Sequence, residues 1–140
     1  MTEKFKILAQ FIKDASVETP DVETYLFVKD NLTKYHLNID ITSKPLKNKM
    51  IEVDTVLRFK DNEANERKSF FEITYTSIVK VDEGIDSKKD LEKIILCDVQ
   101  TKIYPNLEKA FLNLIKDSGF SEIKFEKKID FVKLYEERSV

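Results

Sequence analysis

Few side chains in this 140-residue chain have the types and spacing that turnover chemistry needs. The single histidine, His36, and the single cysteine, Cys97, lie far apart in the sequence and cannot make the shell of about four ligands that zinc takes without several carboxylates. His36 falls on the polar face of a strand pattern and reads as a solvated imidazole; Cys97 follows the apolar stripe of a helix and reads as a small hydrophobe. The carboxylate pairs Asp82/Glu83 and Glu136/Glu137 could serve as acid and base, yet their polar neighbours offer no burial to shift a pKa. With only Gly84 and Gly119 there is no glycine-rich loop to cradle a phosphate. The expectation is therefore no enzyme, no catalytic residue, no cofactor and no metal. One stretch still asks for a role. In FIKDASVETPD, residues 11 to 21, an apolar strand ends in Lys-Asp and then stays acidic and extended instead of turning at once, as a surface with something to meet would do.

The chain that must position this surface is one domain over residues 1–140, with 41% hydrophobic residues, enough for a packed core. Basic residues number 24 against 26 acidic, a net of −2, so non-specific nucleic-acid binding has no chain-wide electrostatic source. The longest apolar runs fall far short of the roughly 20 residues that span a bilayer, and charges interrupt MTEKFKILAQFIKD where a signal peptide is apolar throughout. A cytoplasmic protein without membrane insertion is expected, and a lone cysteine suits a reducing compartment.

Period two dominates the first half. In YHLNIDIT, residues 35–42, Tyr35, Leu37, Ile39 and Ile41 share one face and His36, Asn38, Asp40 and Thr42 the other. MIEVDTVLRFK sets Ile51, Val53, Leu57 and Phe59 against Glu52, Asp54, Arg58 and Lys60; DNEANER follows as a polar turn. RKSFFEITYTSIVKV returns with Phe71, Ile73, Tyr75, Val79 and Val81 on one side. Such short connections favour antiparallel pairing, because a parallel pair needs a long crossover. FKILAQFI completes four strands.

Beyond Gly84 the period becomes helical. Ser87 to Asp90 resembles a capping box ahead of Leu91, Ile94 and Ile95. A second helix is predicted to enter at Pro105-Asn106, carry the stripe Leu107, Ala110, Phe111, Leu114 and Ile115, and stop at Gly119. A short third one in IDFVKLYEER presents Ile129 and Val132, with Phe131 and Tyr135 as further candidates, to one side. Strands first and helices last give an α+β fold: a four-stranded antiparallel sheet followed by C-terminal helices packed on one face.

The face away from the helices is not uniformly polar, since Val56, Phe70 and Ile78 interrupt it, and in the first strand Leu8 and Ile12 oppose Phe5, Ile7 and Phe11. Covering each such side chain is worth roughly 1.5–3 kcal/mol, a large share of a net stability of about 5–15 kcal/mol. Something must cover them, and a second copy of the chain is the simplest candidate; packing under a loop of the same chain is the alternative.

FIKDASVETPD resembles the strand-to-loop signature of the SecB family of protein-export chaperones, an aromatic or Ile followed by Lys-Asp, a short residue pair, Glu and Pro. HLNIDIT, KSFFEITYTSIVKV, YPNLEKAFLNLIKDSGF and KIDFVKLY resemble the family's second strand, last strand, Tyr-Pro helix and C-terminal motif, in the right order over nearly the whole chain. The resemblance implies a cytoplasmic, ATP-independent chaperone, a homotetramer built as a dimer of dimers, which holds unfolded polypeptide clients in surface grooves and passes them to the SecA motor. It further implies that Asp14, Glu18 and Glu72, with Phe70 beside them, form the acidic patch that docks onto SecA. Candidate groove residues are Tyr25, Phe27, Leu37 and Tyr104, with plain core packing as their alternative; 10 Phe and 5 Tyr supply aromatic material.

This chain departs from the family at Thr76-Ser77, in place of a Gly-Gly pair, at Gln100, in place of a Pro, and at Asn106 and Glu108, in place of an aromatic and an Arg. Its end, YEERSV, does not resemble the acidic tail of export members. These departures leave room for a SecB-like chaperone of a toxin–antitoxin system, and a non-chaperone adaptor that binds one folded partner is a reading from another class.

Overall fold

The structure, a computed structural model, describes residues 4–61, 68–121, 123, 125 and 129–138. Four antiparallel strands, β1 (Phe5–Glu18), β2 (Tyr35–Pro45), β3 (Met50–Asp61) and β4 (Phe70–Val81), form one sheet in the order β1-β4-β3-β2. The expected α+β architecture is present, and β1 and β2 are its two edges. Apart from Asp61, the predicted DNEANER turn lies outside the described residues.

Alternation decides which side of the sheet is buried. Val53, Leu57 and Phe59 on β3 and Phe71, Ile73, Tyr75, Val79 and Val81 on β4 are all buried, and the helices pack over them. The outer face is a mixture of charge and uncovered hydrocarbon: Phe70 is 37% exposed, and on β1 Phe11, opposite Thr76, is 45% exposed; Leu8, at a register shift, and Ile12, opposite the inward Tyr75, are exposed along the same edge strand.

The helical half departs from the expectation of two separate helices. Helix α2 (Lys88–Lys93), capped by the Ser87 side chain, runs through a π-helical turn (Ile94–Asp98) directly into α3 (Val99–Asp117). Pro105 therefore sits inside α3 instead of opening it. Proline withholds an N–H from the carbonyl of Thr101, which costs about 3 kcal/mol in a helix interior. The helix continues because Ile103, Leu107, Phe111 and Ile115, all at 0% exposure, form one stripe across the break; at roughly 1.5–3 kcal/mol each they outweigh it. Gln100, also fully buried, anchors the π turn to the sheet. Its Nε2 donates to the Ile95 carbonyl (3.3 Å), and its Oε1 accepts from Thr55 Oγ1 of β3 (2.9 Å).

Helix α3 ends as predicted at Gly119, with φ of 103°. The Gly119 N–H donates to the Lys116 carbonyl (3.0 Å) and the Phe120 N–H to that of Ile115 (3.2 Å), a Schellman closure.

One helix went unread in the sequence: α1 (Val22–Asn31), capped by Asp21, whose Oδ1 accepts from the Thr24 N–H at 2.7 Å. Its Thr24 and Val28 face inward while Val22 and Leu26 point out. So the strands are not all first. Helix α4 (Phe131–Arg138) turns the candidates Phe131 and Tyr135 inward, and Ile129 just before it packs on the core as expected; Val132, expected on the same side, is exposed.

Two glycine-type positions give opposite expectations. A Cβ at Gly119 would lie 2.8 Å from Tyr25 Cε1 at a backbone angle that L side chains avoid, so Gly119→Ala should lower stability by about 1–3 kcal/mol in urea unfolding. In the β2–β3 turn Asn48 and Lys49 both have positive φ (60° and 58°). Because glycine adopts that conformation without strain, Lys49→Gly should raise stability by about 1 kcal/mol in the same measurement.

Candidate functional site

The strand pairing brings the four expected docking residues together on the outer face. Glu18 stands opposite Phe70, Ser16 opposite Glu72 and Asp14 opposite Thr74. Between the two acids of β1, Ser16 Oγ donates to Asp14 Oδ2 (3.1 Å). β1 reaches these positions because it extends to Glu18, well past the apolar FKILAQFI segment.

Register also adds charges that the sequence reading left out. Arg58, opposite Glu72 on β3, approaches it with Nε 3.5 Å from Oε2 and partly neutralises one of the expected acids. The Lys-Asp pair is split in function by an irregularity in β1 between Ile12 and Asp14. Lys13 reaches across β4 to β3, with Nζ 2.7 Å from Glu52 Oε2 and 3.3 Å from Asp54 Oδ2. Those hydrogen bonds, to Glu52 first and then Asp54, raise the Lys13 pKa. Burial pushes the Asp54 carboxyl up, but the hydrogen bond from Thr76 Oγ1 (2.8 Å) and the Lys13 ammonium outweigh it and leave the group below its ordinary range. Lys13 is thus a tie between strands, and Asp14 is the member of the pair left on the open surface.

The four candidate groove residues are not one cluster. On α1, Tyr25 is partly buried, its ring 5.0 Å from Phe120 and its hydroxyl donating to the Gly119 carbonyl at 2.7 Å; Phe27 is partly buried too. Leu37, opposite Phe59, begins a row on the inner face of β2 that continues with Ile39 and Ile41, all only partly covered. Tyr104 differs. It lies 8% exposed against Phe131 of α4, ring centroids 5.3 Å apart, and its buried hydroxyl has no hydrogen-bond partner among the described residues. Burial first, and the neighbouring Glu108 second, push its pKa upward. Three residues the sequence reading assigned no such role add to this apolar surface: Ile39 and Ile41, partly covered like Leu37, Tyr25 and Phe27, and the outward, exposed Leu26 of α1. The alternating pattern named Ile39 and Ile41 correctly as inward-facing but could not say how far the helices reach.

The residues first weighed for chemistry stay apart. His36 is exposed on β2, and Cys97 is buried in the π turn, where burial raises its thiol pKa. Asp82 and Glu83 border an open depression of about 550 Å³ that they share with Phe5, Lys6, Lys80 and Val81. Among the described residues no group of three or more His, Cys, Asp or Glu side chains could hold a metal ion, and no helix is long and apolar enough to cross a membrane.

Comparison with known proteins bears on the family and the fold. The chain is 63% identical over 139 residues to a putative protein-export protein SecB of Pelagibacter ubique (strain HTCC1062), covering 99% of both chains. It is 23% identical over 132 residues to the protein-export protein SecB of Rhodopseudomonas palustris (strain BisB18), covering 94% of this chain and 79% of that one. Its fold is similar, at a TM-score of 0.62 and 10% identity, to a SecB-like chaperone of Mycobacterium tuberculosis solved in complex with a peptide from an antitoxin, over 89% of this chain and 91% of that one. The family model described as preprotein translocase subunit SecB matches residues 1–140, and the chain belongs to the SecB family.

Proposed function

We propose that this protein is an ATP-independent holdase of protein export that keeps precursor chains unfolded on uncovered apolar surface and delivers them to the SecA motor in the cytoplasm. The observation that carries the reading is hydrocarbon left exposed or only partly covered: Leu8, Phe11 and Ile12 along an open-edged strand, Leu37, Ile39 and Ile41 on the other edge strand, and Val22 and Leu26 on α1. Surface of the second kind suits a client. It has many apolar side chains and few fixed polar groups to demand a sequence, and binding of unfolded chains draws population from the folded state by mass action. Surface of the first kind suits a second copy, because an exposed strand edge offers a full row of backbone donors and acceptors. Self-association through β1 and then through a second contact gives the expected tetramer, a dimer of dimers. Tyr104, beneath α4, joins the groove only where α4 moves aside.

The export assignment is favoured over an antitoxin-specific one because the relatives named for protein export share 63% and 23% identity with this chain, whereas the link to an antitoxin comes from a fold likeness at 10%. Docking on SecA is assigned to Asp14, Glu18, Phe70 and Glu72, a patch in which charge contributes to encounter and orientation.

Two measurements test the reading. Without nucleotide, the protein should suppress aggregation of several unrelated unfolded proteins; protection of none would leave the adaptor reading in its place. Binding to SecA should weaken about tenfold or more with Glu72→Lys, which sets a like charge beside Arg58, and should weaken with rising salt in the wild type. Unchanged affinity in that variant removes the docking assignment.

A further inference from the structure

One apolar interruption of the outer face belongs neither to the docking patch nor to the core. Ile78 on β4, half-buried, stands opposite Ala9 of β1 and Glu52 of β3, and Met50, also half-buried, stands opposite Lys80 in the next row. Both lie in the outer row, pointing away from the helices. Lysines surround this hydrocarbon. Lys80 is opposite Lys6, Lys44 is opposite Glu52, and the β2–β3 turn adds Lys47 and Lys49; all five are exposed.

The nearby acids leave most of this charge standing. Glu52, beside Ile78, is taken by the Lys13 ammonium at 2.7 Å. Asp82 and Glu83 border the same depression as Lys6 and Lys80 and offset those two. Lys44, Lys47 and Lys49 remain, with no ion pair among the described residues. β2 is the edge opposite β1, so contacts made along β1 leave this end of the sheet open.

Lys49 is also held against its own backbone preference. Its φ of 58° lies in the left-handed region, which glycine enters without strain and lysine does not. A strained residue points to a role for its side chain, and what lysine adds over glycine here is a charge at the tip of the turn.

The chemistry of the surface selects its partner. Point charges on flexible stems around half-covered hydrocarbon match an anionic lipid surface, where ammonium groups meet headgroup phosphates and the apolar stems lie toward the acyl boundary. A nucleic acid is met by arginine forks or by aromatic rings that stack on bases. Lys6, Lys44, Lys47, Lys49, Lys80, Met50 and Ile78 include neither.

We propose that the outer face around Ile78 and Met50, rimmed by Lys44, Lys47, Lys49 and Lys80, docks on anionic phospholipid, so that the protein rests reversibly on a membrane surface without inserting. From Glu72 to Lys80 along β4 is roughly 26 Å, well beyond a Debye length of about 8 Å at physiological salt. The acidic patch therefore does not cancel the lysines. An anionic plane repels it, which tilts the sheet with its lysine end down and its acidic end toward solvent. This surface does not depend on the holdase reading.

Sedimentation of the full chain with lipid vesicles tests the proposal. At low salt the protein should bind vesicles of phosphatidylcholine mixed with phosphatidylglycerol, should not bind phosphatidylcholine alone, and should be released as salt approaches about 1 M. Each lysine removed should weaken binding about fivefold, so Lys44→Gln/Lys47→Gln/Lys49→Gln should lose about a hundredfold, while Lys47→Arg/Lys49→Arg should bind like the wild type. Lys49→Gly gives the sharper outcome: weaker vesicle binding together with higher stability in urea, a combination that misfolding cannot produce. Wild type that ignores the anionic vesicles or binds both kinds equally would overturn the proposal, as would a triple variant that binds like the wild type. Wild type that binds RNA and not these vesicles would assign the lysines to nucleic acid and overturn it too.

Discussion

The reach of one apolar helical stripe sets what the rest of the molecule can do. Ile103, Leu107, Phe111 and Ile115 form a single column on α3, which packs against β1 and β4, while the π turn is tied to β3 through Gln100 and Thr55. A column of that width closes the middle of a four-stranded sheet, and the inner faces of β3 and β4 are accordingly buried. Lying over β1 and β4, it leaves the inner row of β2 only partly covered. Phe11 on β1 is exposed for another reason, since it shares the outer row with Thr76; both surfaces carry the proposed binding work.

Gln100 and Pro105 show why the helical half was harder to read than the sheet. A sequence pattern registers what a residue prefers alone, so proline ahead of a good stripe reads as an entry. Here the stripe extends upstream through Ile103, and burial on both sides of Pro105 exceeds the loss of one backbone bond. The π turn leaves no mark in local periodicity because its anchor, the Thr55 hydroxyl, lies on a strand far away in the sequence. The strands were legible because period two needs no knowledge of partners. α1 carries a start signal, Asp21 ahead of Thr24 with Glu23 in the first turn, but Val22, Leu26 and Phe27 give no clean inner stripe to mark a helix.

The candidate site divides along the same line. That Glu72 and Phe70 share a face follows from alternation; that Glu18 meets Phe70 follows only from the β1–β4 register, which two irregularities shift. Charges were the least legible. Lys13 and Asp14 are adjacent in sequence and look alike in exposure, yet one is bound to carboxylates on β3 and the other faces solvent. Which of them is free to meet a partner depends on a single extra residue in the strand.

Alternation also separates the two proposed binding activities. Leu37, Ile39 and Ile41 point to the inner side of β2, whereas Asp14, Glu18, Phe70 and Glu72 point to the outer side of β1 and β4. A client lying along the inner margin therefore occupies none of the surface that a docking protein needs. The forces differ as well. Burial of hydrocarbon depends little on salt, while a carboxylate patch acts over about 10 Å at 0.1 M salt and weakens beyond it. A chaperone built this way can meet its acceptor while still loaded, because encounter is governed by one face and retention by the other. Transfer then requires only that the acceptor offer the unfolded chain a better-covered place for the same side chains.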